Sequence, residues 1–453
     1  MRPLKIGISG VRGVVGETFT PELIVGFAQA FGTYLDSGRI LVCRDTRPSG
    51  PMVAASVCAG LLASGCEVID LGICPTPSMQ LAVPRLGAHG GISVTAGHNP
   101  APWNALKFVR ADGLYLNEAQ AEELLDVFHQ GEYEKADWRG IATTIATHDA
   151  IAPHVDALLT HVDVDAIRAR RFKVAVDCCN GACSRLTPRL LHALGCEVWA
   201  INDDPAAAFP HTPEPRLDTM AQVAALAKAG GADVGFAHDS DGERLGLVDD
   251  SGQPLSEELT LPLVASILLA AGAATSQRCI VTNVSTTSVV DRVAERHGAR
   301  VIRTPVGQAY VSEAIVEHHA VVGGEGNGSV AVPAVHATHD SAAAIVIILD
   351  HLARTGARLS ALVGELPRLT MVKEQIAVEA HVVYTALQEF REGLPDGDVR
   401  FADLADGIKV EWPDGWVHVR ASNTESIIRL IAEAGDAVRA REMVDWARDR
   451  LRV

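Results

Sequence analysis

Residues 63–72 read ASGCEVIDLG, and one glycine divides them into two patterns. A helical spacing runs up to Gly65, and a β-branched, strand-like run starts immediately after it. A glycine at that point closes a helix, because it takes the left-handed conformation that satisfies the last carbonyls. The same grammar returns at 193–202, ALGCEVWAIN, and at 296–305, RHGARVIRTP. The tetrapeptide Gly-Cys-Glu-Val itself occurs twice. Each copy is preceded by another strand-like run: RILVCRD from Arg39, FKVAVDCCNG from Phe172 and RCIVTNVS from Arg278. Strand, helix and strand in one order, three times, predict an α/β chain with three similar domains, each a layered sheet with helices on its faces. The stretch after Leu369 differs. DGIKVEWPDGWVHVRASNTESIIRLIAEA (406–434) alternates apolar and polar residues around an Asp-Gly turn, then is expected to pass into a helix. It predicts a smaller α+β domain. The expected boundaries are 1–150, 151–254, 255–368 and 369–453.

Composition agrees with several packed domains. The chain has 453 residues, 48% of them apolar but only 5% aromatic, so its cores are built from Ala, Val, Leu and Ile, the mix of parallel sheets. A formal charge of −17 argues against a nucleic acid or an anionic membrane as partner over a broad surface. An anionic substrate must therefore meet locally focused positive charge. The segment MRPLKIGISGVRG at the start has no apolar signal core, and LTLPLVASILLAAGAA (259–274) is too short to span a bilayer and predicts a buried helix. The nine cysteines form no C-x-x-C pair. They read as reduced thiols of a cytoplasmic protein rather than a zinc site or disulfide framework.

Each repeat ends in a polar, glycine-bearing loop after an apolar strand: VTAGHNP (94–100), HDSDGER (238–244) and GGEGNGS (323–329). Sheets of this kind place ligands at such loops. Asp239, Asp241 and Glu243 alternate in a turn held by the strand ADVGFAH, which suits an oxygen-seeking cation such as Mg²⁺ better than a plain acidic turn. Arg244 follows directly, within reach of a phosphate near the cation. Glu325 and Asn327 suit sugar hydroxyls, although a flexible turn is the commoner meaning of such a loop on its own. In RASNTESIIR, Arg420, Ser422, Asn423, Thr424 and Arg429 supply small donors and two guanidinium groups at an expected strand-to-helix turn. They form either a cradle for a phosphate dianion or an ordinary helix cap. Arg12, between glycines, is a candidate clamp for a transferred phosphoryl group, and Lys107 a candidate acid/base or phosphoryl-stabilising group. Arg44 and Asp45 read as partners of each other or of neighbouring loops. FPHTPEP, with His211, reads as a proline-set connection, and HATHD, with His339, as a structural turn.

Four loops in this order, from GISGVRG to RASNTESIIR, resemble the α-D-phosphohexomutase family of phosphoglucomutases, phosphomannomutases and phosphoglucosamine mutases. DLGICPTPSMQ, PHTPEP, TPVGQAYV and DGIKV share the likeness, which spans essentially the whole chain. The resemblance implies three α/β/α domains and a smaller fourth around a central cleft. It implies interconversion of hexose 1-phosphate and 6-phosphate through a phosphoserine and a sugar bisphosphate, with the bisphosphate as activator. It also implies Mg²⁺, a phosphosugar partner and a monomer or homodimer. By the same resemblance Asp239, Asp241 and Glu243 hold the metal, and Glu325 and Asn327 the sugar. Arg420, Ser422, Asn423, Thr424 and Arg429 hold the non-reacting phosphate, while Arg12, His98 and Lys107 surround the reacting one. GEGNG and WNALK look closest to archaeal-like and phosphoglucosamine-like branches. Two positions depart from the family. Gly97 stands where the family loop, Thr-Ala-Ser-His-Asn-Pro, has its serine, and Glu243 stands where the metal loop has aspartate, one methylene longer than octahedral Mg²⁺ ignores. Three outcomes stay open at Gly97: another acceptor such as His98 or Thr95, water as acceptor in a slow sugar-phosphate phosphatase, or binding without turnover.

Overall fold

Three glycines close three helices in one way, and three equivalent sheets grow from them. Gly65, Gly195 and Gly298 have φ of +81°, +72° and +61°, the left-handed turn that the sequence pattern demands. The strands that follow, Glu67–Ile73, Glu197–Ile201 and Arg300–Thr304, lie parallel to the strands that precede the helices, Arg39–Arg44, Lys173–Asp177 and Cys279–Asn283. On the other side of each central strand runs a third parallel strand: Gly90–Val94, Val234–His238 and Val322–Glu325. An antiparallel fourth strand completes each unit: Trp103–Arg110, Leu245–Val248 and Ser329–Ala331. All three sheets thus share the order second, first, third, fourth. The first is extended to seven strands by Lys5–Gly7, Gly10–Val14 and Ala146–Thr147 at its edges. The third strands are buried along their length, as a sheet covered on both faces requires.

This computed structural model describes residues 4–7, 10–142, 145–272, 278–379, 382–394, 401–403, 406–421 and 427–451. One apolar cluster joins Met79, Val155, Phe236, Leu263 and Ile345, so the three α/β units pack on one another. The expected buried helix is Thr260–Ala270. Among the described residues no helix is long and apolar enough to cross a membrane.

The last unit is a five-stranded antiparallel sheet in the order Thr370–Ala377, Ile427–Ala434, Gly415–Ala421, Ile408–Trp412 and Phe401–Asp403. Helices Val383–Glu392 and Ala437–Leu451 cover it. Trp412 pairs with Gly415, so the expected hairpin turns at Pro413–Asp414 rather than at Asp-Gly, and Gly415 opens the next strand. The helix expected directly after RASNTES is corrected: that segment is the strand Ile427–Ala434, with Ile428, Leu430 and Ala432 buried in alternation. Its β-branched run obeys period two once the neighbouring strand buries one face. Arg420 and Arg429 consequently sit opposite each other on paired strands.

Candidate active site

The loop after Gly90–Val94 is held by a buried arginine whose two terminal nitrogens both bond its carbonyls. Arg47 Nε donates to Asp45 Oδ2 at 2.9 Å. Its Nη1 donates to the carbonyls of Pro100 (2.8 Å) and Trp103 (3.1 Å), and its Nη2 to those of Gly97 (2.6 Å) and Asn99 (2.7 Å). Five N–H groups in a rigid plane fix four carbonyls and a carboxylate, which no lysine would match. Thr95 Oγ1 accepts the Gly97 N–H at 3.0 Å and donates to Asp45 Oδ2 at 2.7 Å. Ser240 Oγ of the second unit reaches the Gly97 carbonyl at 2.8 Å. Gly97 takes φ of +53° in this frame.

A Cβ on Gly97 would lie 3.7 Å from Asp241 Oδ1, 3.8 Å from Asp241 Oδ2 and 3.8 Å from Lys107 Nζ. A Cβ at 97 therefore points toward the carboxylate loop and meets it at ordinary van der Waals contact. Lys107, on Trp103–Arg110, donates to Asp241 Oδ2 at 2.7 Å and Glu243 Oε2 at 2.8 Å. Burial opposes its charge, yet the two carboxylates outweigh burial and raise its pKa. The two hydrogen-bonded carboxylates favour its cationic form. Glu243 Oε1 accepts from Tyr115 Oη at 2.5 Å. Both Glu243 oxygens are thus engaged, and the tyrosine, invisible as a site residue in DGLYLNE, is what completes that arrangement.

Asp239 Oδ1 accepts the backbone N–H groups of Gly242 (3.0 Å) and Arg244 (3.1 Å), which orients the carboxylate. Burial and the neighbouring Asp241 charge push the Asp239 pKa well up. Burial also pushes on Asp241, but Lys107 holds its pKa below the ordinary value. Asp241 Oδ1 is buried and has no hydrogen-bond partner among the described residues. Two adjacent buried carboxylates with one orphaned oxygen fit a hard divalent cation. Glu243 faces Lys107 and Tyr115 instead. Among the described residues, the trio of ligand atoms that converges within 4.8 Å is elsewhere, at His154, His336 and Asp340.

His98 Nδ1 lies 2.9 Å from Arg244 Nη2, whose Nη1 donates to Glu214 at 2.6 Å. Arg12 Nη1 donates to Asn99 Oδ1 at 2.6 Å. Burial, then Arg244, Arg12, Lys107 and Arg429, push the His98 pKa well down. The ring is neutral, and its Nδ1 lone pair is spent on the guanidinium, which leaves the proton on Nε2. Neither nitrogen is then a nucleophile. The Thr95 hydroxyl is equally engaged, fully buried and bonded to Asp45. Glu214, in the stretch expected to be a connection, instead anchors Arg244, and Phe209 lies 5.1 Å under Arg47. Asp45 and Arg47 carried no periodic signal that marked them as a buried pair.

From the third unit, Glu325 Oε1 accepts from Asn283 Nδ2 at 2.6 Å and Gly307 N at 3.1 Å. Asn327 Oδ1 accepts from Ser329 N and Oγ at 3.1 and 2.5 Å, so it shapes its own turn. Arg244 pairs with Ser329 in a β-bridge that joins the second and third units. Burial opposes the Arg244 charge, while Glu214, Asp239 and Glu325 raise its pKa, which places it among all three acids. In the last unit Arg420 Nη2 lies 3.0 Å from Asp406 Oδ2, and Asp406 accepts Val306 N at 2.9 Å from the third. Ser422, Asn423 and Thr424 lie outside the described residues.

Three repeated α/β units and an antiparallel α+β unit, with acidic, cationic and glycine loops at the sheet ends, define a multidomain fold of phosphosugar chemistry. Family models described as phosphoglucomutase/phosphomannomutase alpha/beta/alpha domains I, II and III match residues 3–135, 152–252 and 257–369, and the C-terminal domain model matches 373–449. The chain belongs to this phosphoglucomutase/phosphomannomutase family, the α-D-phosphohexomutases. A phosphoglucomutase/phosphomannomutase of Thermococcus kodakarensis is 37% identical, over 97% of this chain and 96% of its own. A probable phosphoglucosamine mutase of Methanopyrus kandleri is 35% identical over the same shares. The crystal structure of a phosphoglucomutase/phosphomannomutase family protein from Burkholderia thailandensis superposes with a TM-score of 0.85 at 27% identity, over 98% of this chain and 97% of that one.

Proposed function

We propose that this chain interconverts hexose 1-phosphate and 6-phosphate of the glucose, mannose or glucosamine type. The observation that carries the proposal is the meeting of Gly97, Lys107, Asp241 and Arg244 across two units, with Arg12 and Arg429 among the cations facing His98. Asp239 and Asp241 would hold Mg²⁺, and a cation there neutralises charge on a transferring phosphoryl group. Lys107 and Arg12 add fixed positive charge beside it. Glu325 and Asn327 orient sugar hydroxyls, and Arg420 and Arg429 hold the phosphate that does not react. A cytoplasmic setting is part of the proposal, supported by nine cysteines, all buried and none in a disulfide.

With glycine at 97, and with the Thr95 and His98 side chains already engaged, the chain offers no phosphoryl store in this loop. The balanced transfer then moves a phosphoryl group from O1 of a hexose bisphosphate to the 6-hydroxyl of hexose 1-phosphate. It yields hexose 6-phosphate and a new bisphosphate, so added bisphosphate is obligatory. Gly97 also favours a second reading, in which water takes the space of the missing side chain and bisphosphate is hydrolysed to monophosphate and inorganic phosphate. Phosphorus NMR with hexose 1-phosphate, Mg²⁺ and trace bisphosphate separates the two. Hexose 6-phosphate formed without inorganic phosphate supports the mutase. Inorganic phosphate formed in step with bisphosphate loss supports the hydrolase, and neither product overturns both.

A further inference from the structure

Behind the carboxylate loop, two imidazoles converge on one carboxylate oxygen. His154 Nε2 lies 2.9 Å and His336 Nε2 3.0 Å from Asp340 Oδ2, and the three ligand atoms are mutually within 4.8 Å. His154 and Asp340 are fully buried, and His336 is 11% exposed at its side chain. The phosphohexose site described above uses none of them. We propose that His154, His336 and Asp340 form a second cation site, selective for Zn²⁺ or a similar transition metal, that locks the first three units together.

Three features support a metal over a plain hydrogen-bond cluster. The donor set comes first: two imidazole nitrogens and one carboxylate oxygen suit Zn²⁺ and discriminate against Mg²⁺, which seeks oxygen alone. Orientation is the second. Asp340 Oδ1 accepts Ala342 N at 2.9 Å as the cap of helix Ser341–Thr355, so Oδ2 is the oxygen left for a ligand. The third is the set of groups behind the rings. His154 Nδ1 lies 2.8 Å from Ser78 Oγ, and His336 Nδ1 is bonded to Thr338 Oγ1. A hydroxyl both donates and accepts. Without metal the hydroxyls donate to Nδ1 and the Nε2–H groups bond Asp340. With metal each neutral ring shifts its single proton from Nε2 to Nδ1, where the hydroxyl accepts it, and the freed Nε2 lone pairs face the cation with no net proton release.

The place matters as much as the chemistry. Ser78 lies on helix Thr76–Arg85, whose Thr76 N donates to the Asp241 carbonyl at 2.9 Å. Asp340 caps the helix whose Ser341 Oγ donates to the Gly242 carbonyl at 2.8 Å. A cation at the trio therefore ties down both neighbours of the loop that carries Asp239 and Asp241.

The test uses full-length protein stripped with a chelator, then held in excess Mg²⁺ to occupy oxygen-only sites. Co²⁺ is added as the spectroscopic probe and Zn²⁺ as the competitor. One Co²⁺ per chain, with the visible band of a low-coordinate nitrogen and oxygen site, bleached by Zn²⁺, is expected. A rise in melting temperature with Zn²⁺ should accompany it. His336→Gln, at the partly exposed position, should abolish the band, and Ser78→Ala should weaken binding about 10–100-fold. Retention of the band in a folded His336→Gln protein, or no band and no Zn²⁺-dependent melting shift in wild type, overturns the proposal.

Discussion

Replacing Gly97 by serine adds the hydroxymethyl group that the proposed transfer loop lacks. The cost is set by the backbone: φ of +53° is a left-handed conformation that a residue with Cβ occupies at roughly 1–2 kcal/mol. No clash adds to this, because the new Cβ meets its nearest neighbours at 3.7 Å or more. Those neighbours are the Asp241 carboxylate and the Lys107 ammonium, so the hydroxyl arrives beside the orphaned Asp241 Oδ1 and a fixed positive charge. Urea denaturation should therefore show a loss of about 1–2 kcal/mol, and Gly97→Ala the same loss. Incubation with a hexose bisphosphate and Mg²⁺ should then phosphorylate Gly97→Ser and leave Gly97→Ala and wild type unmodified, read by intact-protein mass spectrometry. The mutase rate should rise with serine alone, each tenfold gain corresponding to about 1.4 kcal/mol of barrier. A folded Gly97→Ser protein that takes up no phosphate and gains no rate would refute the inference that residue 97 faces the transfer site. Label on His98 or Thr95 of the wild type would refute the conclusion that hydrogen bonding withholds both side chains from phosphoryl transfer.

Lys107→Met should destabilise the protein by about 3–5 kcal/mol in urea melts, because it strands the buried Asp241 and Glu243 carboxylates. Mg²⁺ should recover part of that loss, and unchanged stability would contradict the pairing. Arg420→Ala should weaken hexose phosphate binding by about 1.5–3 kcal/mol in calorimetry, the scale of a charged hydrogen bond, and equal affinity would reject that strand as the phosphate site. Burial, with Arg420 nearby, pushes His418 down to about 4 from an ordinary value of 6.5. The unfolded chain therefore binds a proton that the folded one refuses, and stability falls by about 3 kcal/mol as pH drops from 6.5 to 4. His418→Gln should flatten that part of the stability-against-pH curve, and an unchanged slope would remove His418 as its cause.

The repeated units were legible because their punctuation is physical. Gly65, Gly195 and Gly298 each close a helix in a conformation that other residues resist, and the next strand starts at once. The placement of the candidate loops was legible for a related reason, since each leaves the end of a buried third strand. What stayed hidden depends on partners distant in sequence. Arg47 looks like a surface arginine in CRDTRPSG until the carbonyls of Gly97, Asn99, Pro100 and Trp103 fold over it. Tyr115 and Glu214 acquire their roles only from Glu243 and Arg244 of the second unit. IIRLIAEA satisfies helical and strand periods alike, and the neighbouring strand Gly415–Ala421 decides between them.

The most direct measurement is Mg²⁺ calorimetry on the wild type, alone and with a hexose bisphosphate. Asp239 and Asp241 supply few ligands by themselves, Glu243 is held by Lys107 and Tyr115, and Gly97 supplies no phosphate oxygen. Mg²⁺ should bind weakly to the free protein and more tightly once the bisphosphate brings its own oxygens, and linkage requires the bisphosphate to tighten by the same factor. Tight Mg²⁺ binding that is indifferent to bisphosphate would contradict a shared metal and phosphoryl site at Gly97.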